Sequence, residues 1–399
     1  MNARFKTLAD FEVSGRRVLV REDLNVPMTN GRIGDFTRID AAIPTLRYLL
    51  RHGARTIIMS HLGRPDGTRV ESLSLRPLLP ALQDRLGTNV GFAQDCIGAQ
   101  TLAMARDLKN GEALLLENVR FHPEEEANDT AFARQLAQLG ELYINDAFGT
   151  AHRAHASTEG VARFLPSAAG LLMEAELCAL EPLISGGVKP FVCVIGGAKI
   201  KDKVGVFQSL MRRVSSFCIG GGMANTFLAA QGHNVGISLR DSDDSAAGAM
   251  LTLAKSQGAA LHLPVDAVVA PAFDADSEAR TVMLDAVDGE MILDIGPRTA
   301  ANYASVIRSA KTIVFNGPMG VYEKEPYQNG TRAIGEAIAE ATKRGATSVV
   351  GGGDAAAAAH ELGFADAMTH VSTGGGATLE FLEGKTLPGV AALALSAVR

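Results

Sequence analysis

The sequence predicts an α/β protein with two doubly wound parallel-sheet domains. Short, continuous apolar runs alternate with longer helical segments, a pattern typical of parallel strands that are covered by helices on both faces. The residues that follow these runs change from charged to glycine-rich halfway along the chain. With 399 residues and 47% hydrophobic content, the chain is long enough for two or three domains with cores of their own.

Composition and charge argue against several classes of function. The formal net charge is -6, which does not favour general binding to nucleic acids or membrane surfaces. We find no run of eighteen apolar residues and no apolar signal segment in residues 1–10, so we expect a cytoplasmic protein without a membrane anchor. The four cysteines are widely spaced and form no CxxC pair, which favours buried reduced thiols over disulfides or a zinc site: Cys96, Cys178, Cys193 and Cys218.

In the first half, four predicted strands deliver arginine or histidine to their carboxyl ends. The strands cover 17–20, 54–59, 113–116 and 141–144, with predicted helices at 39–52 and 129–139 between them. Ligands of parallel sheets bind beyond these strand ends, and clustered guanidinium groups favour an anion. The candidates for one such anion site are Arg38, His61, Arg64, Arg120 and Arg153. Any one of these arginines could be a solvated surface charge, but their recurrence at the same point of successive units argues against that alternative.

A predicted helix at 171–185 connects this half to a second one, in which glycine replaces arginine at the strand ends. The glycine-rich segments follow predicted strands at 191–195, 216–219, 312–315 and 370–371. Such segments bind anions through backbone N–H groups, although glycine also permits close packing of helices on a sheet. For Gly220, Gly221 and Gly222 the packing role is at least as plausible as contact with a ligand.

One segment of the second half, residues 348–360, is predicted to hold phosphate. Its strand end is followed by Gly351, Gly352, Gly353 and Asp354, and then by an alanine-rich helix. Backbone N–H groups and the positive end of the helix favour an anion there, and Asp354 can address a phosphate-bound metal ion. The alternative is a glycine-rich turn in which Asp354 is an ordinary helix N-cap.

Two lysines are predicted to contribute point charges to the same half. Lys199 and Lys203 are four residues apart, which would place them on one face of a helix start. The chain contains no GxxxxGK[ST] motif, which excludes a P-loop NTPase of the Walker type. It also lacks GxGxxG followed by an acidic residue, which weakens the interpretation as a nicotinamide-dependent dehydrogenase. One half therefore offers guanidinium groups and the other backbone N–H groups, as expected of a two-domain transferase with a central cleft.

Ten motifs, in order, resemble the phosphoglycerate kinase family from one end of the chain to the other. They are the segments 21–27, 60–65, 117–121, 145–157, 196–199, 220–227, 294–297, 316–323, 351–354 and 372–380. The resemblance implies two Rossmann-like domains joined by a hinge helix. It also implies reversible transfer of a phosphoryl group from 1,3-bisphosphoglycerate to ADP, giving 3-phosphoglycerate and ATP in glycolysis, with Mg²⁺ accompanying the nucleotide and a monomeric enzyme.

The resemblance also assigns residues to sites. Those implied for the phosphoglycerate are Asp23, Leu24, Asn25, Arg38, His61, Leu62, Gly63, Arg64, Arg120 and Arg153. Those implied for the nucleotide are Lys203, Asn316, Glu323, Gly351, Gly352, Gly353, Asp354 and Ala355, with Asp354 also associated with magnesium. Those implied to surround the transferring phosphoryl group are Arg38, Lys199, Gly374 and Gly375.

The same resemblance predicts the domain bounds. Residues 1–170 with the returning tail 385–399 are expected to bind the phosphoglycerate, 171–185 to connect, and 186–384 to bind the nucleotide. Two positions depart from the family pattern. This chain has Ala355 where the family usually has Ser or Thr, and Ile292 where the family often has Gly. These departures make nucleotide affinity uncertain but remove no catalytic group. A non-catalytic anion sensor on the same fold would be expected to lack Arg38, Lys199 or Asp354, and all three are present.

Overall fold

The computed structural model describes residues 5–394, and these residues form two compact units. The first unit comprises the residues up to Leu177 together with those from Thr386 onward, and the second runs from Cys178 to Lys385. The first change of unit lies inside the predicted connecting helix, and the second lies next to the predicted start of the returning tail. Within the described residues, no helix is long and apolar enough to cross a membrane.

The first unit is built on a six-stranded parallel sheet with the order β5-β6-β4-β1-β7-β8. Its strands, with the small antiparallel hairpin β2-β3, are β1 (Arg17–Arg21), β2 (Met28–Thr29), β3 (Arg32–Ile33), β4 (Arg55–Met59), β5 (Val90–Phe92), β6 (Ala113–Leu115), β7 (Leu142–Asn145) and β8 (Ser167–Ala169). From β1 the chain moves first to one side of the sheet and later to the other. The central strands are buried almost throughout, which explains their unbroken apolar sequence.

Helices cover this sheet and close its core. They are α1 (Thr37–Arg51), α2 (Leu79–Leu86), α3 (Ala99–Asp107), α4 (Pro123–Glu126), α5 (Thr130–Ala137) and, from the returning tail, α14 (Pro388–Ala391). The α1 helix buries Ile39, Ile43 and Leu46, spaced three or four residues apart, against the sheet strands. The tail is held to the unit by a hydrogen bond from Gly389 N to the Ala151 carbonyl oxygen (2.9 Å).

The second unit repeats this architecture with the parallel order β11-β10-β9-β15-β16-β17. Its strands in this sheet are β9 (Phe191–Ile195), β10 (Ser216–Ile219), β11 (Ala260–His262), β15 (Thr312–Asn316), β16 (Thr347–Val350) and β17 (His370–Val371). Its helices are α7 (Val204–Leu210), α8 (Gly221–Ala230), α9 (Ser245–Gln257), α10 (Pro297–Arg308), α11 (Asn329–Lys343), α12 (Gly353–Glu361) and α13 (Gly376–Leu382). The prediction of two doubly wound parallel sheets is confirmed.

A third sheet in the second unit was not anticipated from the sequence. It is antiparallel, with the order β13-β12-β14, and its strands are β12 (Asp266–Ala270), β13 (Arg280–Met283) and β14 (Met291–Ile295). These short strands lack the regular β-α spacing of the main sheets, so the pattern that revealed the parallel strands did not apply to them. A separate small core, which includes Val269, Val282 and Leu284, lies against this sheet.

The connecting helix α6 (Leu171–Ser185) has the predicted bounds. Its first turn is capped by a buried carboxylate, because Asp146 Oδ1 accepts hydrogen bonds from the N–H groups of Leu172 (2.9 Å) and Met173 (3.0 Å). Gly170 is required at this approach, since a Cβ there would lie 2.2 Å from Asp146 Oδ1. Asp146 follows β7, so the helix starts from the same sheet edge that carries the predicted anion site.

Candidate functional site

Sheet order brings the predicted anion-binding residues of the first unit to one edge. Strands β6, β4, β1 and β7 are consecutive neighbours and run parallel, so their carboxyl ends lie side by side. Asp23 and Asn25 follow β1, His61 follows β4, Arg120 follows β6, and Arg153 follows β7. The chain reverses its direction of travel across the sheet beside β1, which is where ligands of doubly wound sheets bind.

Two of the loops at this edge are hydrogen-bonded to one another. Asn25 Oδ1 accepts the N–H of Gly63 (2.8 Å), and Ser60 Oγ accepts the N–H of Leu24 (2.9 Å). Gly63 has φ of +63°, a conformation that favours glycine. The side chains of Leu24 and Leu62 are buried in the unit, so these two predicted site residues contribute position and backbone groups rather than side-chain contacts.

Arg120 is almost fully buried, which is unusual for an arginine. Its Nη1 donates to the Gly63 carbonyl oxygen (2.8 Å), and its Nε lies 3.1 Å from Glu126 Oε1. Burial lowers the pKa of Arg120 to about 10, against the opposing effect of Glu126. Asn118, which sequence reasoning did not single out, fixes the same loop by donating to the Leu62 carbonyl oxygen (2.7 Å).

His61 is buried and held in one tautomer. Arg21 Nη2 lies 3.1 Å from His61 Nδ1, and since a guanidinium can only donate, Nδ1 is the acceptor and Nε2 carries the proton. Burial, followed by the charges of neighbouring arginines, keeps the pKa of His61 well below its usual value. The arginines that act on it are Arg21, Arg120, Arg38 and Arg153. His61 is therefore a neutral Nε2–H donor surrounded by cationic side chains. This environment suits a phosphate or carboxylate ligand.

The remaining basic residues differ in exposure. Arg38 lies in the first turn of α1 and is half-exposed. Its Nη1 forms an ion pair with Asp23 Oδ2 (2.5 Å). Arg153 is partly buried, and its Nε lies 3.3 Å from His152 Nε2. Arg64 is exposed. The charges of Arg38, Arg120 and Arg153 all contribute to the lowered pKa of His61, so three of the four predicted arginines lie near this histidine.

In the second unit, the equivalent point lies between β9 and β15, from which the chain moves to opposite sides of the sheet. The loops that follow these strands touch backbone to backbone. A Cβ on Gly196 would lie 2.0 Å from the Pro318 carbonyl oxygen, and one on Gly317, whose φ is +115°, would lie 2.4 Å from the Gly196 oxygen. Glycine is therefore obligatory at both positions, because any side chain would force the loops apart.

The packing role considered for Gly220, Gly221 and Gly222 is supported at the last two positions by the same kind of contact. Added Cβ atoms on Gly221 and Gly222 would lie 2.7 Å from the carbonyl oxygens of Gly197 and Ala198, respectively. Met223 N also donates to the Gly197 oxygen (3.0 Å). These glycines let the start of α8 pack on the loop after β9, and Gly221 and Gly222 additionally line the cavity described below.

Asn316 connects a lysine to the predicted phosphate loop. Lys203 Nζ donates to Asn316 Oδ1 (2.6 Å), and Asn316 Nδ2 donates to the Gly351 carbonyl oxygen (2.5 Å). Asn316 is fully buried at the end of β15, so its amide holds two separate segments in fixed positions. Burial lowers the pKa of Lys203, although the nearby Asp354 acts in the opposite direction.

The predicted phosphate loop opens helix α12. The N-cap is Gly352, with φ of +99°, so the alternative in which Asp354 is the N-cap is wrong. Gly353 and Asp354 are exposed in the first turn, and a Cβ on Gly353 would meet no atom within 4 Å. The methyl group of Ala355 is buried, so this residue presents its N–H rather than its side chain. First-turn N–H groups of a helix have no acceptor within the helix and attract anions.

The predicted common helix face of Lys199 and Lys203 is wrong. Lys199 has an extended backbone and precedes a short 3-10 turn, whereas Lys203 is the residue before α7. The interruption arises because Asp241 Oδ2 accepts the Ile200 N–H (2.8 Å), which fixes the turn from outside the helix. Lys199 is exposed, and Lys203 is half-buried beside Asn316.

Gly374 and Gly375 lie before α13, as predicted. Gly375 has φ of +52°, and a Cβ on it would meet no atom within 4 Å. Ser372 Oγ accepts the Gly374 N–H (3.2 Å) and is hydrogen-bonded to Thr378 Oγ1 (2.5 Å). This hydroxyl pair holds the glycine turn in shape.

A cavity of about 820 Å³ lies in the second unit beside these segments. Glu323 and Asp354 contribute carboxylates to its lining, and the apolar part of its wall includes Leu239, Pro264, Phe273, Met291 and Ile292. Its volume and mixed lining are typical of a site for an organic ligand with a charged end. Sequence reasoning singled out Ile292 but missed the rest of this apolar wall, including Met291 of the unforeseen third sheet.

Asp294 is the buried carboxyl group of this cavity. It accepts hydrogen bonds from the N–H groups of Gly330 (2.6 Å) and Ile295 (2.8 Å). Burial raises the pKa of Asp294 to about 8. Cβ atoms on Gly320 or Gly330 would collide with it, so the carboxyl group acts as a fixed link between β14 and the loops around the cavity.

The first α/β unit carries clustered arginines, and in the second unit a lysine and glycine loops adjoin a cavity for an organic ligand. This combination defines a nucleotide-dependent phosphotransferase. The family model for phosphoglycerate kinase matches residues 8–385. The chain belongs to the phosphoglycerate kinase family.

Curated relatives and solved structures agree with this assignment over nearly the whole chain. The phosphoglycerate kinase of Roseiflexus castenholzii is 54% identical over 392 residues, covering 97% of this chain and 98% of the relative. That of Moorella thermoacetica is 53% identical over 389 residues, with the same coverage. The structure of phosphoglycerate kinase from Coxiella burnetii is similar with a TM-score of 0.89 and 41% identity, covering 98% of both chains.

The activity that follows is reversible phosphoryl transfer from 1,3-bisphosphoglycerate to ADP, which gives 3-phosphoglycerate and ATP in glycolysis. The chain is therefore a phosphotransferase with a carboxyl group as acceptor. The predicted family, fold class and reaction are confirmed.

Proposed function

We propose that the first unit binds the phosphoglycerate and the second binds the nucleotide. The observation that supports this division best is the link from Lys203 through Asn316 to Gly351, because it fixes a cation and a helix N-terminus beside the cavity of the second unit. A nucleotide needs a cavity for its base and donors for its phosphates, and this unit offers both. The first unit offers a group of cations around His61, which suits a small, multiply charged acid.

Within this division, the site residues take the roles that the family resemblance implies. The phosphoglycerate is held by Asp23, Asn25, Arg38, His61, Arg64, Arg120 and Arg153, with Leu24, Leu62 and Gly63 shaping the loops. The nucleotide is held by Lys203, Asn316, Glu323, the Gly351 to Gly353 loop, Asp354 and Ala355. Glu323 is the acceptor for the ribose hydroxyl groups, because it is an exposed carboxylate that lines the cavity.

The transfer itself requires no general base. The acceptor is a carboxylate or an ADP oxygen, both of which are already anions, so no proton has to be removed from it. Catalysis then depends on placing cations and N–H donors around the transferring phosphoryl oxygens and on excluding water. Arg38, Lys199 and the turn at Gly374 and Gly375 supply these groups, and His61 remains neutral as a donor because its pKa is lowered by burial.

Magnesium fits the residues of the second unit as a companion of the nucleotide. Asp354 is an exposed carboxylate in the first turn of α12, lining the cavity and close enough to Lys203 to influence its charge. Mg²⁺ is usually held by one or two carboxylates together with substrate phosphates. When bound, the ion would neutralise charge on the phosphates, and Asp354 would hold it.

We further propose a cytoplasmic monomer that uses no nucleic acid or membrane partner.

Both sets of groups can act on one phosphoryl group only if the two units approach in the ternary complex, with α6 as the hinge. Small-angle scattering tests this closure. The radius of gyration is expected to fall most when 3-phosphoglycerate and magnesium nucleotide are both present, and an equal radius with and without them would contradict closure.

Steady-state kinetics test the division of ligands between the units. We expect Arg64→Gln to raise KM for 3-phosphoglycerate while leaving that for ATP near the wild-type value, and Glu323→Gln to do the reverse. Both side chains are exposed, so each variant should fold and serve as the control for the other. If Glu323→Gln raised KM for 3-phosphoglycerate alone, the assignment of the units would be wrong.

A further inference from the structure

Three potential metal ligands, none of them assigned to the site described above, meet at the carboxyl ends of two strands of the first unit's sheet. Asp95 and Cys96 follow β5, and His122 follows the turn after β6. These strands are parallel neighbours, so their carboxyl ends are adjacent. The ligand atoms of Asp95, Cys96 and His122 all lie within 4.8 Å of one another, the one such group of three among residues 5–394.

The cluster is organised by direct contacts. His122 Nε2 lies 2.6 Å from an Asp95 carboxylate oxygen, Oδ1, which also accepts the Cys96 N–H (2.7 Å). The hydrogen bond with Asp95 raises the pKa of His122. The imidazole packs against the Phe132 ring at 5.2 Å between centroids, which restricts its orientation. The positions of all three side chains are thus largely fixed before any ion arrives.

The three ligand types select a particular class of ion. A thiolate, an imidazole and a carboxylate together suit Zn²⁺ or Co²⁺, whereas Mg²⁺ prefers oxygen ligands alone. Zinc–ligand bonds of about 2.0–2.3 Å place tetrahedral ligand atoms roughly 3.3–3.8 Å apart. The Asp95–His122 contact must therefore widen by about 1 Å. Both side chains are partly exposed, 52% and 24%, and have room to do so.

We propose that Asp95, Cys96 and His122 form a binding site for a thiophilic divalent transition-metal ion of the Zn²⁺ type. The ion is coordinated by Cys96 Sγ, His122 Nε2 and an Asp95 carboxylate oxygen, and water completes the tetrahedron. Cys96 is fully buried, so the ion enters from the side of Asp95 and His122. Binding releases the Cys96 thiol proton to solvent, together with one His122 ring proton when the ring is charged, and a neutral ring keeps its proton on Nδ1. One metal–sulfur, one metal–nitrogen and one metal–oxygen bond form, and the ion loses the water molecules that these ligands replace.

Cobalt titration of the full-length protein in the absence of nucleotide tests the site. We expect one equivalent of Co²⁺ to produce visible tetrahedral bands and a near-ultraviolet thiolate-to-cobalt band, both removed by one equivalent of Zn²⁺. Millimolar Mg²⁺ should leave them unchanged. Cys96→Ser should abolish the thiolate band, and His122→Gln and Asp95→Asn should weaken binding by at least about tenfold. Circular dichroism checks that each variant is folded.

Matched controls use exposed residues of the same kinds elsewhere, Cys178→Ser and His360→Gln, which should bind cobalt as the wild type does. Loss of the thiolate band in Cys178→Ser or its survival in Cys96→Ser would overturn the proposal. If Cys96→Ser does not fold, His122→Gln decides the matter, because unchanged cobalt affinity in that variant excludes the site.

Discussion

Adjacent glycines in the phosphate loop should respond to the same substitution in opposite ways. Gly352 has φ of +99°, and an added Cβ would lie 3.2 Å from the amide nitrogen of Asn316. Gly353 is the first residue of α12, and its added Cβ would meet nothing within 4 Å. Gly352→Ala therefore forces a side chain into an unfavourable backbone conformation, whereas Gly353→Ala introduces a better helix former without a clash.

The two substitutions are expected to change the stability of the fold in different directions. Backbone strain of this kind costs about 1–3 kcal/mol, so Gly352→Ala should lower Tm by roughly 2–10 °C for a unit of this size. Gly353→Ala should leave stability unchanged or raise it by up to about 1 kcal/mol. Its methyl group would nevertheless occupy the open space that we assign to the nucleotide phosphates. We expect KM for ATP to rise by about tenfold, equivalent to about 1.4 kcal/mol, while KM for 3-phosphoglycerate stays constant.

Differential scanning calorimetry and steady-state kinetics on both variants check this pair. Equal Tm values would show that the positive φ of Gly352 carries no strain cost. A Gly353→Ala enzyme with wild-type KM for ATP would show that the first turn of α12 does not approach the phosphates, and the assignment of the Gly351 to Gly353 loop would have to be abandoned.

Three further predictions concern single side chains. Arg38→Ala should lower turnover by about 10²–10³-fold, because it removes a cation from the transferring phosphoryl group. Arg51→Ala, at the exposed end of the same helix, should leave turnover unchanged. Asp354→Ala should raise the Mg²⁺ concentration that gives half-maximal rate, and Glu361→Ala on the same helix should leave it unchanged; identical magnesium profiles would rule out the metal role. Burial raises the pKa of Asp146 to about 6 from its usual 3.8, so the folded state loses stability as pH rises from about 4 to about 6, where this carboxyl group is ionised in the unfolded chain but still protonated in the fold. Asp146→Asn cannot ionise, so its Tm relative to wild type should increase between pH 4 and pH 7, and a constant difference would show that Asp146 does not titrate there.

Much of the main architecture and most site residues could be predicted from local sequence. Buried parallel strands require unbroken apolar runs, and the bounds of α6, β9 and β10 followed directly from such runs and their flanking residues. Functional residues of a doubly wound sheet lie just after its strands, so reading the residues after each run located Arg120, His61 and the glycine loops. The order of motifs then indicated the family.

Tertiary structure decided the features that depend on residues far apart in the chain. The tautomer of His61 follows from Arg21, 40 positions away, and the position of Lys203 follows from Asn316, 113 positions away. The turn between Lys199 and Lys203, predicted as a helix, is set by the Asp241 carboxylate. The cysteines illustrate the same limit: their spacing argued against metal binding, but pairing of β5 with β6 places Cys96 beside His122. Sequence patterns report which residues are buried and which end a strand, because those properties are local, whereas side-chain partners depend on how strands pair.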